Sequence, residues 1–289
     1  MRDFTLYESL HPDVIVKMLK MAFSFENWDK LSEISNVLCI CVHRIYEEQQ
    51  EGVPRKYVYL ERPLVYYYGF GLLMRGLALL KQGKYEQSGE CVSKYTDLSW
   101  MTPLDEEGYQ IVEDFRFYAK ANRYALDILS GRDERMDEYV HFLRENPEEV
   151  LPGLNNILQS AFLHNLDVDH ILHVFAEEIG RFGDYEDSVN VAYYYTYSYF
   201  LAVYLIKKGK YRESVDYIIQ SLSLSHKLHN DREFKQCIAL FETYRDFASD
   251  VQIDEYKVFQ KFILEGAVNN EKMVEFMDAG VNYHLCGND

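Results

Sequence analysis

Two stretches of this chain repeat one another without a gap, and that repetition limits the architecture before any single motif is weighed. One runs from Tyr67-Tyr68 through Leu79-Leu80-Lys81-Gln82-Gly83-Lys84-Tyr85 to Ser88. The other runs from Tyr193-Tyr194 through Leu205-Ile206-Lys207-Lys208-Gly209-Lys210-Tyr211 to Ser214. Val65 matches Val191, and Leu98-Ser99 matches Leu224-Ser225, so the clear copies span about 64–99 and 190–225. Each copy reads as helix, tight turn, helix. Leu72, Leu73, Gly76, Leu77, Leu79 and Leu80 recur at helical spacing before the turn. Gly83 and Gly209 fit a helix C-terminus, where the backbone turns left-handed and glycine does so cheaply. Tyr85 and Tyr211 open the next helix, and Ser88 and Ser214 are small enough for the two helices to approach closely.

The unit resembles the tetratricopeptide repeat, of about 34 residues, with Gly76, Gly83, Tyr85 and Ser88 matching in the first copy and Ala202, Gly209, Tyr211 and Ser214 in the second. The closing proline is missing: Trp100 and His226 stand near its place. Phe25–Leu31 resembles a third turn with Trp28 as its aromatic residue, and Leu129-Ser130-Gly131-Arg132 reads as the close of another first helix. The resemblance implies an all-α fold, a superhelical array of antiparallel helix hairpins forming one domain over 1–289. Such arrays need capped ends, and the segments 1–12 and 273–279 are the candidates.

Helix boundaries follow from apolar periodicity and breakers. Helices are expected over 12–23, 27–48, 63–82, 84–98, 105–130, 133–144, 154–164, from Asp167 or Asp169 to about 182, 185–208, 211–228, 231–249 and 254–266. Asn146-Pro147 and Pro152-Gly153 are read as interruptions.

The 289 residues carry a formal charge of −17. Affinity for nucleic acid comes largely from Lys and Arg neutralising phosphates, so direct nucleic-acid binding by this chain is not expected. Cys39, Cys41, Cys91, Cys237 and Cys286 are scattered and odd in number, which reads as a reducing, cytoplasmic setting. The N-terminus lacks the apolar core of a signal peptide. The uncharged run 189–206 is rich in hydroxyls and contains Asn190, too polar for a membrane span.

The motifs of common chemistries are absent or fit packing. His170, His173 and Glu177 have the spacing of metal ligands on one helical side, but a solvated face explains them without a fourth ligand, and no metal or cofactor is expected. Cys39, Cys41 and His43 alternate, so a helix points them apart. Gly69-Phe70-Gly71 lies inside a helical pattern and is no dinucleotide loop. The chain is therefore read as a non-enzyme.

The tyrosines suggest a site. There are 25, clustered on the first helix of each copy, and tyrosine combines a flat apolar face with a hydroxyl. By the family's phasing, Phe70, Leu73, Leu77 and Lys81, and likewise Thr196, Tyr199, Val203 and Lys207, face the concave side. Asparagine can clamp a peptide backbone through donor and acceptor together, and Asn122, Asn155, Asn156 and Asn190 lie on or beside array helices. The expected ligand groove is Tyr67, Asn122, Asn156, Asn190, Tyr193, Tyr197 and Tyr199.

Segments 60–67, 93–100, 116–122 and 239–245 resemble the sensory, C-terminal part of bacterial helix-turn-helix regulators that carry such repeats. The resemblance implies a cytoplasmic, non-catalytic domain that binds a short peptide or partner protein segment and dimerises. No helix-turn-helix precedes the repeats in this sequence. A stand-alone interaction scaffold is an alternative, and a phosphatase of response regulators using Gln49 or Gln50 is a further one. Val258, Phe259, Phe262, Ile263, Val274 and Phe276 recur at helical spacing with little chain left to cover them, so a homodimer through this face is expected.

Overall fold

A computed structural model describes residues 10–52 and 59–268, with side chains through 261. The described residues hold thirteen α-helices, four short 3-10 turns and no strand. They fall into two compact units, Met1–Glu145 and Asn146–Asp289, and each unit carries one copy of the repeat.

The first unit contains α1 (Pro12–Ser24), α2 (Trp28–Gln50), α3 (Leu64–Lys81), α4 (Tyr85–Tyr95), α5 (Glu106–Leu129) and α6 (Met136–Glu145). The second contains α7 (Val150–His164), α8 (Asp169–Val174), α9 (Ala176–Arg181), α10 (Ser188–Lys207), α11 (Tyr211–Lys227), α12 (Asp231–Tyr244) and α13 (Asp250–Val268). Helices adjacent in sequence pack on each other from α1 to α6 and from α10 to α12. In addition α3 packs on α5, and α10 on α7.

The helix starts follow from local chemistry. Asn27, Asp105, Asp187 and Asn230 each accept a hydrogen bond from the backbone N–H three residues on, at 3.1, 2.8, 2.9 and 3.3 Å. That satisfies one of the donors a helix leaves open at its start.

The turns of both repeat copies have one geometry. Gly83 (φ 72) donates to the Leu80 carbonyl at 2.9 Å and Lys84 to Leu79 at 2.9 Å. Gly209 (φ 73) donates to Ile206 at 3.0 Å and Lys210 to Leu205 at 2.9 Å. This pair of bonds is the Schellman motif. It recurs at Gly131 (φ 92), at Glu26 (φ 50) and at His229 (φ 52). The turn at Glu26-Asn27-Trp28 and the one after Leu129 therefore match the geometry expected from the two clear copies.

The cores also follow the repeat. In the first unit Leu19, Leu31, Leu38, Val65, Tyr67, Tyr95, Ile111 and Phe115 belong to one buried cluster. In the second, Tyr195, Ala202, Val215, Ile218, Leu222, Phe234, Cys237, Phe241 and Tyr256 form another. Small residues permit the close helix pairs: Ser88 Oγ donates to the Gly76 carbonyl at 2.7 Å, across α4 and α3.

Three expectations need correction. Pro152 does not interrupt a helix: it stands in the first turn of α7, where the missing N–H has no intrahelical partner to lose. The helix expected to run to about residue 182 is split at Phe175, a buried residue with φ −102 and ψ 21. Its N-cap is Val168, and the neighbouring Asp167 accepts the Asp169 N–H at 3.0 Å. Among the described residues no helix is long and apolar enough to cross a membrane.

Candidate functional site

The first unit contains a cavity of about 650 Å³. Three separate stretches wall it: the C-terminal end of α2 with Ile45, Tyr46, Glu48 and Gln49; residues 59–65 leading into α3; and residues 101–105 with Glu107 leading into α5. Ile45, Val65 and Met101 are buried and form an apolar floor. The half-buried Leu60, Leu64 and Leu104 continue it outward.

Hydrogen bonds from other elements fix each wall. The Tyr67 hydroxyl donates to Asp13 Oδ1 and accepts the Arg62 N–H at 3.1 Å. Asp13 Oδ2 also accepts the Glu61 N–H at 3.4 Å, and the His11 ring lies 2.9 Å from the Tyr59 carbonyl. The start of α1 thus ties down the 59–62 stretch. From the end of α2, Tyr46 donates to the Trp100 carbonyl at 2.8 Å, and Gln50 donates to that of Thr102 at 2.7 Å. The Trp100 ring stands edge to face with both Tyr46 and Tyr68, at 5.3 and 5.5 Å between centroids.

The charges of the described lining are one-sided. Among its described lining residues are the carboxylates of Glu48, Glu61, Asp105 and Glu107, against the single guanidinium of Arg62. Arg62 is already engaged: Nε lies 2.6 Å from Glu107 Oε1, and the guanidinium covers the Tyr66 ring at 4.6 Å. Burial, and then the bond to Asp13, push the Tyr67 hydroxyl well above the usual phenol range, so it stays a donor at neutral pH.

The residues expected in a ligand groove have varied placements. Tyr67 and Tyr197 are each 1% exposed and belong to the interior. Tyr197 packs its ring on Phe182 at 5.4 Å. Asn122 donates to the Tyr95 hydroxyl at 3.0 Å, joining α5 to α4. Asn190 gives both its backbone and side-chain N–H groups to Asp187, at 2.9 Å each, in the N-cap of α10. Asn156 is half-buried on α7, and Tyr199 is half-buried with its ring stacked on Tyr195 at 6.1 Å. Tyr193 is 42% exposed, and its carbonyl accepts Asn155 Nδ2 at 3.0 Å, which links α10 to α7. Of the residues phased to a concave side, Phe70 is buried, while Leu73, Leu77, Thr196 and Val203 are half-buried. Lys207 reaches the Phe162 carbonyl at 2.6 Å.

A polar cluster ties α8 to α10 in the second unit. Lys208 Nζ lies 3.0 Å from Asp167 and 2.5 Å from Asp169, and Tyr204 donates to Asp169 at 2.8 Å while accepting the Val168 N–H at 3.0 Å. The Asp169 N–H and then Lys208 hold the Asp167 carboxyl below its ordinary range, and the hydrogen bond from Lys208 does the same for Asp169. Every group in this cluster has a structural partner.

Among the described residues no group of three His, Cys, Asp or Glu side chains is placed to hold a metal. His170 and His173 are on α8 and Glu177 on α9, beyond the break at Phe175. Cys39, Cys41, Cys91 and Cys237 are buried and form no disulfide, and Cys286 lies outside the described residues. Burial pushes the thiols of Cys39 and Cys237 up to about 12, so neither is a ready nucleophile.

The cavity escaped the sequence reading because its walls come from three loop-proximal stretches with no shared periodicity. The signals in hand were Pro63 opening a helix and the break at 100–103, which mark its edges but not their meeting. No family model, curated protein or solved structure matches this chain.

Proposed function

We propose that this chain is a non-catalytic binding domain, an array of tetratricopeptide-style hairpins that holds a short peptide or a segment of a partner protein. The observation that carries the reading is the preformed cavity of the first unit, within a scaffold of repeated hairpins closed by one turn geometry. An apolar floor with a few placed polar groups is the usual make-up of a ligand site. The resemblance to sensory domains of bacterial regulators supports a cytoplasmic role in transcription control. Direct contact with nucleic acid is no part of the proposal, because a net charge of −17 opposes it.

In the second unit the exposed Tyr193, with the half-buried Asn156 and Tyr199, belongs to a further contact surface in this reading. Asn122 and Asn190 would serve as supports rather than clamps, given their bonds to Tyr95 and Asp187. The test is selection of displayed random heptapeptides on the full chain, followed by calorimetry on the enriched sequences. The reading expects enriched peptides with affinities around the micromolar range, on the order of −8 kcal/mol. A chain that enriches no peptide over a bare support would sink it.

A further inference from the structure

We propose that the cavity between α2, the 59–65 stretch and the 101–107 stretch takes a peptide that is both apolar and cationic. Leucine-like side chains would fill the floor, and lysine or arginine would pair with Glu48 and Glu61. This rests on the peptide-binding reading above and adds the chemistry of the ligand.

The cavity, about 650 Å³, falls within the roughly 300–1,000 Å³ typical of ligand pockets. Its floor, Ile45, Val65 and Met101, rewards only apolar groups. Its described rim favours cations. A ligand carboxylate or phosphate would meet Glu48, Glu61, Asp105 and Glu107, and Arg62, the one described cation there, is held by Glu107. Asp105 is also occupied in part, since it caps α5 through Gly108. Glu48 and Glu61 therefore remain as the carboxylates best suited to a ligand cation, one from the end of α2 and one from the 59–65 stretch. The overall charge of −17 would steer a cation toward the protein and make binding weaken with salt. The described walls are already tied by Tyr67 to Asp13, Tyr46 to Trp100 and Gln50 to Thr102, so these contacts need not form on occupancy.

The probe is an acetylated hexapeptide amide alternating leucine and arginine, titrated calorimetrically into the full chain. Its twin alternates leucine and glutamate. The expected result is binding of the arginine peptide and none of the glutamate peptide. Affinity should fall roughly tenfold or more in a Glu48→Gln/Glu61→Gln double variant. A Leu104→Trp variant, which narrows the cavity from its half-buried rim, should weaken binding comparably. A Glu86→Gln/Glu90→Gln variant removes the same charge from exposed positions on α4 and should leave affinity within about twofold. Equal losses in the two double variants would mean bulk attraction only and would overturn the proposal. Failure of the arginine peptide while display-selected peptides without cations bind would also overturn it, leaving the peptide-binding reading intact. Failure of every peptide would overturn both.

Discussion

The ring of Phe115 on α5 occupies the space that a side chain at position 69 of α3 would take: a β-carbon built on Gly69 would lie 2.3 Å from Phe115 Cε2. The α3–α5 contact in the first unit depends on that absence. Phe115 is 3% exposed, with the rings of Tyr95 and Tyr118 both 6.0 Å away, so it has little room to yield. Gly69→Ala should therefore destabilise the protein by about 1–3 kcal/mol through overpacking, despite the better helix propensity of alanine. Gly180→Ala is the control, because its β-carbon would meet nothing within 4 Å. That change should stabilise by about 0.5–1 kcal/mol. Urea denaturation of the two variants compares them directly, and equal midpoints would remove the steric argument.

The shared turn makes a second prediction. Glu26 (φ 50) and His229 (φ 52) adopt the left-handed conformation that Gly83 and Gly209 adopt at the same place in the repeat copies. A residue with a β-carbon is strained there by roughly 1–2 kcal/mol, partly offset by the greater chain entropy glycine loses on folding. Glu26→Gly and His229→Gly should each raise stability by up to about 1 kcal/mol. Gly83→Ala should lower it by about as much. Thermal melts that move the other way would show that the side chains at 26 and 229 contribute more than their backbone strain costs.

These turns also show what could be read from sequence. Helix α1 runs Pro12–Ser24 where apolar spacing predicts 12–23, and α3 runs Leu64–Lys81 where it predicts 63–82. Periodicity and caps are local, so local reading recovers them. The tyrosines are different. Whether Tyr67 faces a ligand or the interior depends on Asp13, 54 residues away, which accepts its hydroxyl. Tyr197 is interior because Phe182 lies against it. A tyrosine-rich helix looks the same on paper whether its hydroxyls meet solvent or a distant carboxylate. Pro152 illustrates the converse: a breaker is silent in a first turn, and only the position of the helix start at Val150 reveals that.

Alkaline pH gives a third prediction. Burial raises the Cys39 and Cys237 thiols from 9.0 to about 12, and it raises the hydroxyls of Tyr67, Tyr95, Tyr195 and Tyr197 as well. The unfolded chain therefore loses these protons first. Stability from the neutral groups is complete below about pH 9 and declines as pH rises toward 12 and beyond. Denaturant midpoints should fall steadily from pH 9 upward, with the tyrosinate absorbance appearing in step with unfolding. A large early tyrosinate signal from a chain that stays folded would place these hydroxyls in solvent.

The fourth prediction concerns assembly. We propose a homodimer through the C-terminal face, of whose apolar residues Val258 and Phe259 are described. Phe259 is half-buried within its own unit, with its ring 6.3 Å from Phe234 and 6.3 Å from His226. The Phe262 and Ile263 side chains, and Val274 and Phe276, lie outside the described residues. Val251 and Val258, seven positions apart on α13 and so on one side of the helix, are 69% and 49% exposed. An isologous pair would bury both valines twice over. Phe259→Asp would disturb the fold of a single chain, so it cannot report on association alone. Val251→Asp/Val258→Asp keeps the interior intact and should convert a dimer to a monomer at about 10–50 micromolar, where ordinary dimer affinities lie. Sedimentation velocity on both proteins decides the matter. A wild-type chain that is monomeric across that range, or a double variant with unchanged mass, would exclude this face as the contact.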